Sequence, residues 1–250
     1  MRGLRHINFN RSSLSEQVEQ ALKAEILSGR LAPKQRIDFQ GYRKHWSISV
    51  TPLRDAVKVL ETIGLVEVSP RRGVFVSQID RTALKEIFEL RIALEPMAIQ
   101  LATPLIPIEE ARNALSLYTQ AQNASPKEEK DEQLPKIDLL IHNLALKYCG
   151  NQRLIKTMGG LRDLIRWSQQ TIIKNLKNPY ETTLPQHIRI CEAVCARDAT
   201  GAAEAMRVHL ENVYKRIELF LEAQPADDEG PHDGQNGLLN LPDTPQLIPD

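Results

Sequence analysis

Apolar and polar positions follow two different periods between Ser47 and Ser77, SISVTPLRDAVKVLETIGLVEVSPRRGVFVS. Leu53, Ala56, Val57, Leu60 and Ile63 recur at i, i+3, i+4, i+7 and i+10, which lines one face of a helix. Thr51, Arg54, Lys58 and Glu61 fall on the other face. Ser49 stands where a capping side chain is wanted, and Pro52 is tolerated in a first turn whose N–H groups lack intrahelical partners. Gly64 stops the run. Beyond it the period falls to two. Val66, Val68, Val74 and Val76 alternate with polar residues on either side of the turn Ser69-Pro70-Arg71-Arg72-Gly73. A helix with a polar outer face beside a hairpin with a basic tip suits a DNA major groove, with the wing resting on the flanking backbone. The pattern predicts a winged helix-turn-helix.

Upstream, Ser13 and Glu16 form a capping-box pair that opens a helix to about Ser28, with Leu14, Val18, Ala21, Leu22 and Ile26 inward. A short helix from about Phe39 to Trp46 packs through Tyr42 and Trp46. From Arg81 onward the reading is helical throughout, at about 81–102, 107–123, 127–149, 151–177, 180–197 and 200–223. Breaks fall at Thr103-Pro104, Ser125-Pro126, Gly150-Asn151, Asn178-Pro179 and Asp198 to Gly201. The expected fold is mainly α: an N-terminal winged helix-turn-helix over residues 1–78 and an antiparallel all-α bundle over 79–224. Residues 225–250 hold five prolines, six acidic residues and no Lys or Arg, a composition expected to stay disordered.

Charge sharpens this division. The chain is neutral overall, but residues 1–78 carry 13 Lys and Arg against 7 Asp and Glu, and residues 79–224 carry 19 of each. A basic first third is the electrostatic footprint of a nucleic-acid binder, because phosphate attraction acts locally. No run of about 18 apolar residues is present, so no membrane span is expected. The start, MRGLRHINFNRSS, lacks an apolar signal core. Three cysteines without framework spacing fit a reducing cytoplasm, the expected location. Cys191 and Cys195, one helical turn apart, read as buried small hydrophobes.

A second constellation lies in the helical part. Asp138 and His142 are four apart and share a helix face. His187 and His209 each lie eleven residues from Asp198, so an antiparallel hairpin centred there sets them level. Three histidines and one carboxylate can therefore converge, a donor set that suits zinc and also nickel, manganese or iron. Taken singly, each of these residues reads rather as an ordinary hydrogen-bonded side chain; it is their joint placement that points to a metal. Mirroring about Gly150-Asn151 puts Gly159 opposite His142 and Asp163 opposite Asp138, with Arg162 or Arg166 in reach as a carboxylate clamp or else facing solvent.

At this point the residues resemble a family. The N-terminal part is similar to the GntR-type bacterial transcription regulators, through LSGRLAPKQRI and SVTPLRDAVKVLETIGLVEVSPRRGVFV. The C-terminal part resembles their FCD ligand-binding domain through FELRIALEP, DLLIH, CGNQRL, QHIRICEAV and DATGAAEAMRVHL, so that the likeness spans about residues 12–222. The resemblance implies metal ligands at Asp138, His142, His187 and His209 and an effector-facing Arg91; Arg162 and Arg166 are further effector candidates from the mirrored register. The resemblance also implies DNA contacts from Gln40, Arg43, Lys44, Ser49, Thr51, Arg54, Lys58, Arg71, Arg72 and Gly73. Val50 replaces the arginine usual after the first serine of the recognition helix, so an operator of the usual sequence is not implied. The function expected is that of a homodimeric repressor of a double-stranded operator, controlled by a small carboxylate at the metal and acting as no enzyme. The rivals are a metal-dependent hydrolase using the Asp/His cluster and a protein-binding adaptor.

Overall fold

The computed structural model describes residues 13–124, 134, 137–172, 176 and 180–223. Parts of the expected helices 127–149 and 151–177, and the acidic tail 225–250, lie outside the described residues. The winged domain is built from α1 (Leu14–Leu27), α2 (Phe39–Trp46), α3 (Val50–Thr62), β1 (Val66–Ser69) and β2 (Gly73–Val76). The bundle follows as α4 (Arg81–Ala102), α5 (Ile108–Asn123), α6 (Leu140–Tyr148), α7 (Gln152–Thr171), α8 (Leu184–Cys195) and α9 (Ala199–Glu222).

Helix ends follow the side chains that stand there. The Ser13 hydroxyl accepts from the Glu16 N–H while the Glu16 carboxylate accepts from the Ser13 N–H, closing the expected capping box. Ser47, in the left-handed region at φ 53°, ends α2 and turns the chain into α3. Ser49 does precede α3, but its side chain makes no capping bond. Pro52 occupies the third helical position, where the N–H that a capping hydroxyl would reach is missing.

In the wing, Val66 pairs with Val76 and Ser69 with Gly73. Arg71 at φ 65° and Gly73 at φ 122° carry the chain around the tip. The backbone calls for glycine at Gly73; the nearest atoms a Cβ would meet there are those of the exposed, movable Arg36 guanidinium. The free edge of β2 is covered by the preceding loop: the Ile37 N–H donates to the Val74 carbonyl, and the Val76 N–H to the Gln35 carbonyl.

Among the described residues one apolar cluster fills the winged domain and two fill the bundle, the smaller of these around Phe88, Ile172 and Ile217. In the bundle, α4 packs along α9 and α6, and α8 against α5 and α9, around residues such as Ile99, Ile141, Ile190, Val194 and Leu210. In the winged domain Val18, Leu22, Ile26, Leu53, Leu60 and Leu65 are buried together, and Trp167 of α7 is buried among them. Leu164, one turn earlier, lies 3.8 Å from where a Cβ on Gly64 would stand, at the end of α3. The bundle thus lends an indole to the core of its neighbour. Among the described residues no helix is long and apolar enough to cross a membrane.

Candidate metal centre and DNA-binding face

The hairpin of α8 and α9 sets His187 and His209 across from each other, with their Nε2 atoms 3.2 Å apart. His142, from α6, brings its own Nε2 within 3.3 Å of that of His187. All three imidazoles are buried. Their other ring nitrogens fix the tautomers. His142 Nδ1 is bonded to the Glu95 carboxylate, which only accepts, so Nδ1 carries the proton. His209 Nδ1 faces the Gln186 side-chain carbonyl at 2.9 Å and donates to it. In their neutral forms both rings turn an unprotonated Nε2 inward, toward a third Nε2 that can donate to only one of them. Lone pairs aimed at one another in a buried site call for a cation. Four-coordinate zinc with Zn–N bonds of about 2.0–2.1 Å sets its nitrogens roughly 3.3–3.4 Å apart, which the observed spacing matches.

The surrounding charges fit that reading. Burial acts to raise the Glu95 carboxyl pKa, but the charges of Arg91 and His142 and their hydrogen bonds more than offset it and bring it down to about 2. Arg91 Nε donates to Glu95 at 2.6 Å, so Arg91, Glu95 and His142 form one buried chain. Burial, followed by the charges of neighbouring His142 and Arg91, pushes the His187 pKa well below its ordinary value. His209 is lowered likewise by burial and then by His187. The ring of Tyr118 stacks on His187 at 4.9 Å between centroids. Its hydroxyl donates to the Ile137 carbonyl and accepts the Ile141 N–H, which pins the segment between Asp138 and His142.

Asp138 stands beside this triad. Its carboxylate accepts from the Gln169 amide, and Oδ1 lies 4.0 Å from His187 Nδ1, a nitrogen with no hydrogen-bond partner among the described residues. The three histidines alone form the group whose donor atoms all lie within 4.8 Å of one another. Burial raises the Asp138 pKa. The mirror expected about Gly150 is not the one observed: Gln169 meets Asp138, while Asp163 pairs at 2.9 Å with Lys23 of α1. Asp138 lies in a turn ahead of α6, outside the helix whose register the mirror assumed. Arg162 and Arg166 are exposed and line a cleft against α1 that does not include the histidines.

On the winged domain, Thr51, Arg54 and Lys58 form the exposed face of α3, with Lys58 paired to Asp55 at 3.2 Å. Gln40, Lys44, Ser49, Arg71 and Arg72 are also exposed, and Gly73 is half-buried in the wing. Arg43 is half-buried and donates to the Gln40 side-chain carbonyl at 3.2 Å. Sequence reasoning missed Glu95, Tyr118, Gln169 and Gln186. Only Glu95 had a signal, its i,i+4 spacing from Arg91.

An exposed, basic recognition helix and wing joined to a helical bundle define a DNA-binding transcription regulator. Residues 14–76 match the bacterial regulatory proteins of the gntR family and residues 86–212 match the FCD domain, so the chain belongs to the GntR family. It is 26% identical over 199 residues to the HTH-type transcriptional repressor GlaR of Escherichia coli, covering 76% of this chain and 89% of that protein. The HTH-type transcriptional regulator McbR of Escherichia coli is 28% identical over 216 residues, covering 82% of this chain and 94% of McbR. A structure of McbR/YncC superposes with a TM-score of 0.68 at 21% identity, over 84% of this chain and all of that one. A GntR regulator from Rhodococcus sp. RHA1 superposes with a TM-score of 0.70 at 18% identity, over 84% of this chain and 99% of that one. These two share the fold.

Proposed function

We propose that this regulator is an operator-binding repressor whose DNA affinity is set by a small organic acid bound at a divalent metal. His142, His187 and His209 would hold the ion, with Asp138 completing the set; zinc suits these donors, and nickel, manganese or iron would also fit. The observation that carries this reading is the convergence of three buried Nε2 atoms, two of them with their tautomers fixed as acceptors. Bound there, a metal supplies a positive centre for a carboxylate, and Arg91 adds charge within the same buried chain. The likeness to a repressor, GlaR, supports the direction of control.

Thr51, Arg54 and Lys58 would face the major groove, and Arg71 and Arg72 the backbone beside it. Arg54→Ala is expected to weaken operator binding by about 1–3 kcal/mol and to relax selectivity at one base position. Fluorescence anisotropy on DNA from upstream of the gene, against random duplex over a salt series, measures this. Repeating it with chelator and with a panel of small carboxylates tests the control: one acid should shift affinity only when metal is present. Unchanged affinity under every acid, with metal loaded, would remove the effector reading.

The protein would bind as a homodimer through α4. This helix is apolar on its outer side as well as its inner one: Leu90, Met97 and Leu101 are 43%, 46% and 38% exposed, with Leu94 half-buried between them. Its N-terminal half is polar outside, at Lys85, Glu86 and Glu89, so it is the apolar stretch from Leu90 to Leu101 that calls for a partner. Two-fold pairing of this face would set two recognition helices on the halves of a pseudo-palindrome. Met97→Glu with Leu101→Glu is expected to give monomers in sedimentation and to lose tight operator binding; a variant still dimeric would place the interface elsewhere. Binding DNA as its target, the protein would work in the cytoplasm.

A further inference from the structure

The cleft between the two domains carries chemistry that neither the operator nor the histidine centre uses. It has a volume of about 960 Å³ and is walled by α1, the segment around α6, and α7. That is within the range of small-molecule sites, about 300–1,000 Å³. Its basic groups are unequally committed. Lys23 pairs with Glu19 and with Asp163, the acid on the cleft wall, and Lys147 pairs with Glu110. Arg162 and Arg166 remain exposed, one helical turn apart, with no ion pair or hydrogen bond among the described residues. Two like charges at i,i+4 repel unless an anion lies between them, and guanidinium groups take carboxylate or phosphate oxygens two at a time.

We propose that this cleft binds a small di- or trianion, a polycarboxylate or phosphate compound, held by Arg162 and Arg166 from α7 and by Gln20 and Lys23 from α1. The site is separate from the histidine centre and does not depend on it. Its position gives binding a consequence. Lys23 and Gln20 belong to the winged domain, Arg162 and Arg166 to the bundle, and Trp167 beside them sits in the winged core. An anion in the cleft ties α1 to α7 and fixes how the winged domain sits on the bundle.

Trp167 also reports on the site. The chain has two tryptophans, so Trp46→Phe leaves Trp167 as the only one. Emission of this full-length variant is followed while citrate or pyrophosphate is added at constant ionic strength, with chloride and acetate as controls. The expected result is a saturating change with citrate, pyrophosphate or both, and the responding arm tells carboxylate from phosphate. Arg162→Gln with Arg166→Gln should weaken it about ten-fold or more. His187→Ala, or wild-type side chains at the histidines after chelator, should leave it in place. A linear drift shared with chloride would overturn the proposal, as would an equal response in the double glutamine variant. Loss with His187→Ala and chelator, but persistence in the glutamine variant, would put the anion on the metal. That outcome would overturn the cleft site and leave the metal reading standing; the converse pattern would uphold the cleft site and leave the metal reading to its own test.

Discussion

Replacing Glu95 with alanine should destabilise the protein by about 3–5 kcal/mol, because it leaves a buried guanidinium with no counter-charge. Arg91 and Glu95 are 3% exposed each, so neither can turn to water. The same change strips His142 of the acceptor that fixes its tautomer, and loss of such an outer partner typically costs roughly 10–100-fold in metal affinity. Both effects come from one carboxylate, and Glu95→Gln separates them. The amide keeps the shape and an acceptor for His142, yet cannot balance Arg91. Urea denaturation and zinc calorimetry on the two variants check this. A Glu95→Ala protein with wild-type stability would show that Arg91 finds another anion. Because the Glu95 pKa is about 2 in the fold and 4.5 ordinarily, its contribution is complete above about pH 4.5 and is lost as the pH falls toward 2.

His187→Ala should abolish stoichiometric zinc binding, a larger loss than the roughly 10–100-fold of an outer-partner change. His187 is the middle of the three, 3.3 Å from His142 and 3.2 Å from His209 through the same Nε2. In the wild-type protein, zinc at 1,000 times its Kd should add about 4 kcal/mol of stability, and in the variant almost none. Thermal melts with and without zinc read this directly. Acid gives a second test. Burial first, then neighbouring charges, lowers the pKa values of both His187 and His209, so the unfolded chain binds more protons than the folded one below about pH 6.5. Stability of the metal-free protein should therefore fall as the pH drops below that value and level off above it. A flat profile from pH 7 to 5 would mean that the imidazoles take up protons in the fold as readily as in the unfolded chain.

Much of this was legible along the chain because it depends on neighbours in sequence. The stripe Leu53, Ala56, Val57 and Leu60 is the buried face of α3, and Ser13 with Glu16 is the cap of α1. The meeting of His187 and His209 was legible too, since a short turn fixes the register of two consecutive helices. What could not be read depends on helices distant in sequence. Glu95 on α4 matters because α6 lies against it, and Tyr118 on α5 because its hydroxyl reaches the turn before α6. Register counted from Gly150 failed for a related reason: Asp138 precedes its helix rather than lying on it. Trp167, an apolar residue on an amphipathic helix, gave no sign that the core it joins belongs to another domain.

That shared indole bears on how the protein can be taken apart. Truncating a buried tryptophan costs about 3–5 kcal/mol, against a total stability of about 5–15 kcal/mol for a typical domain. A fragment ending at residue 78 would lack Trp167 altogether and keep the hole it fills. The winged domain is therefore not an interchangeable module: transplanted to another bundle it would need a tryptophan delivered at the same place, and within this chain the two domains should melt as one cooperative unit.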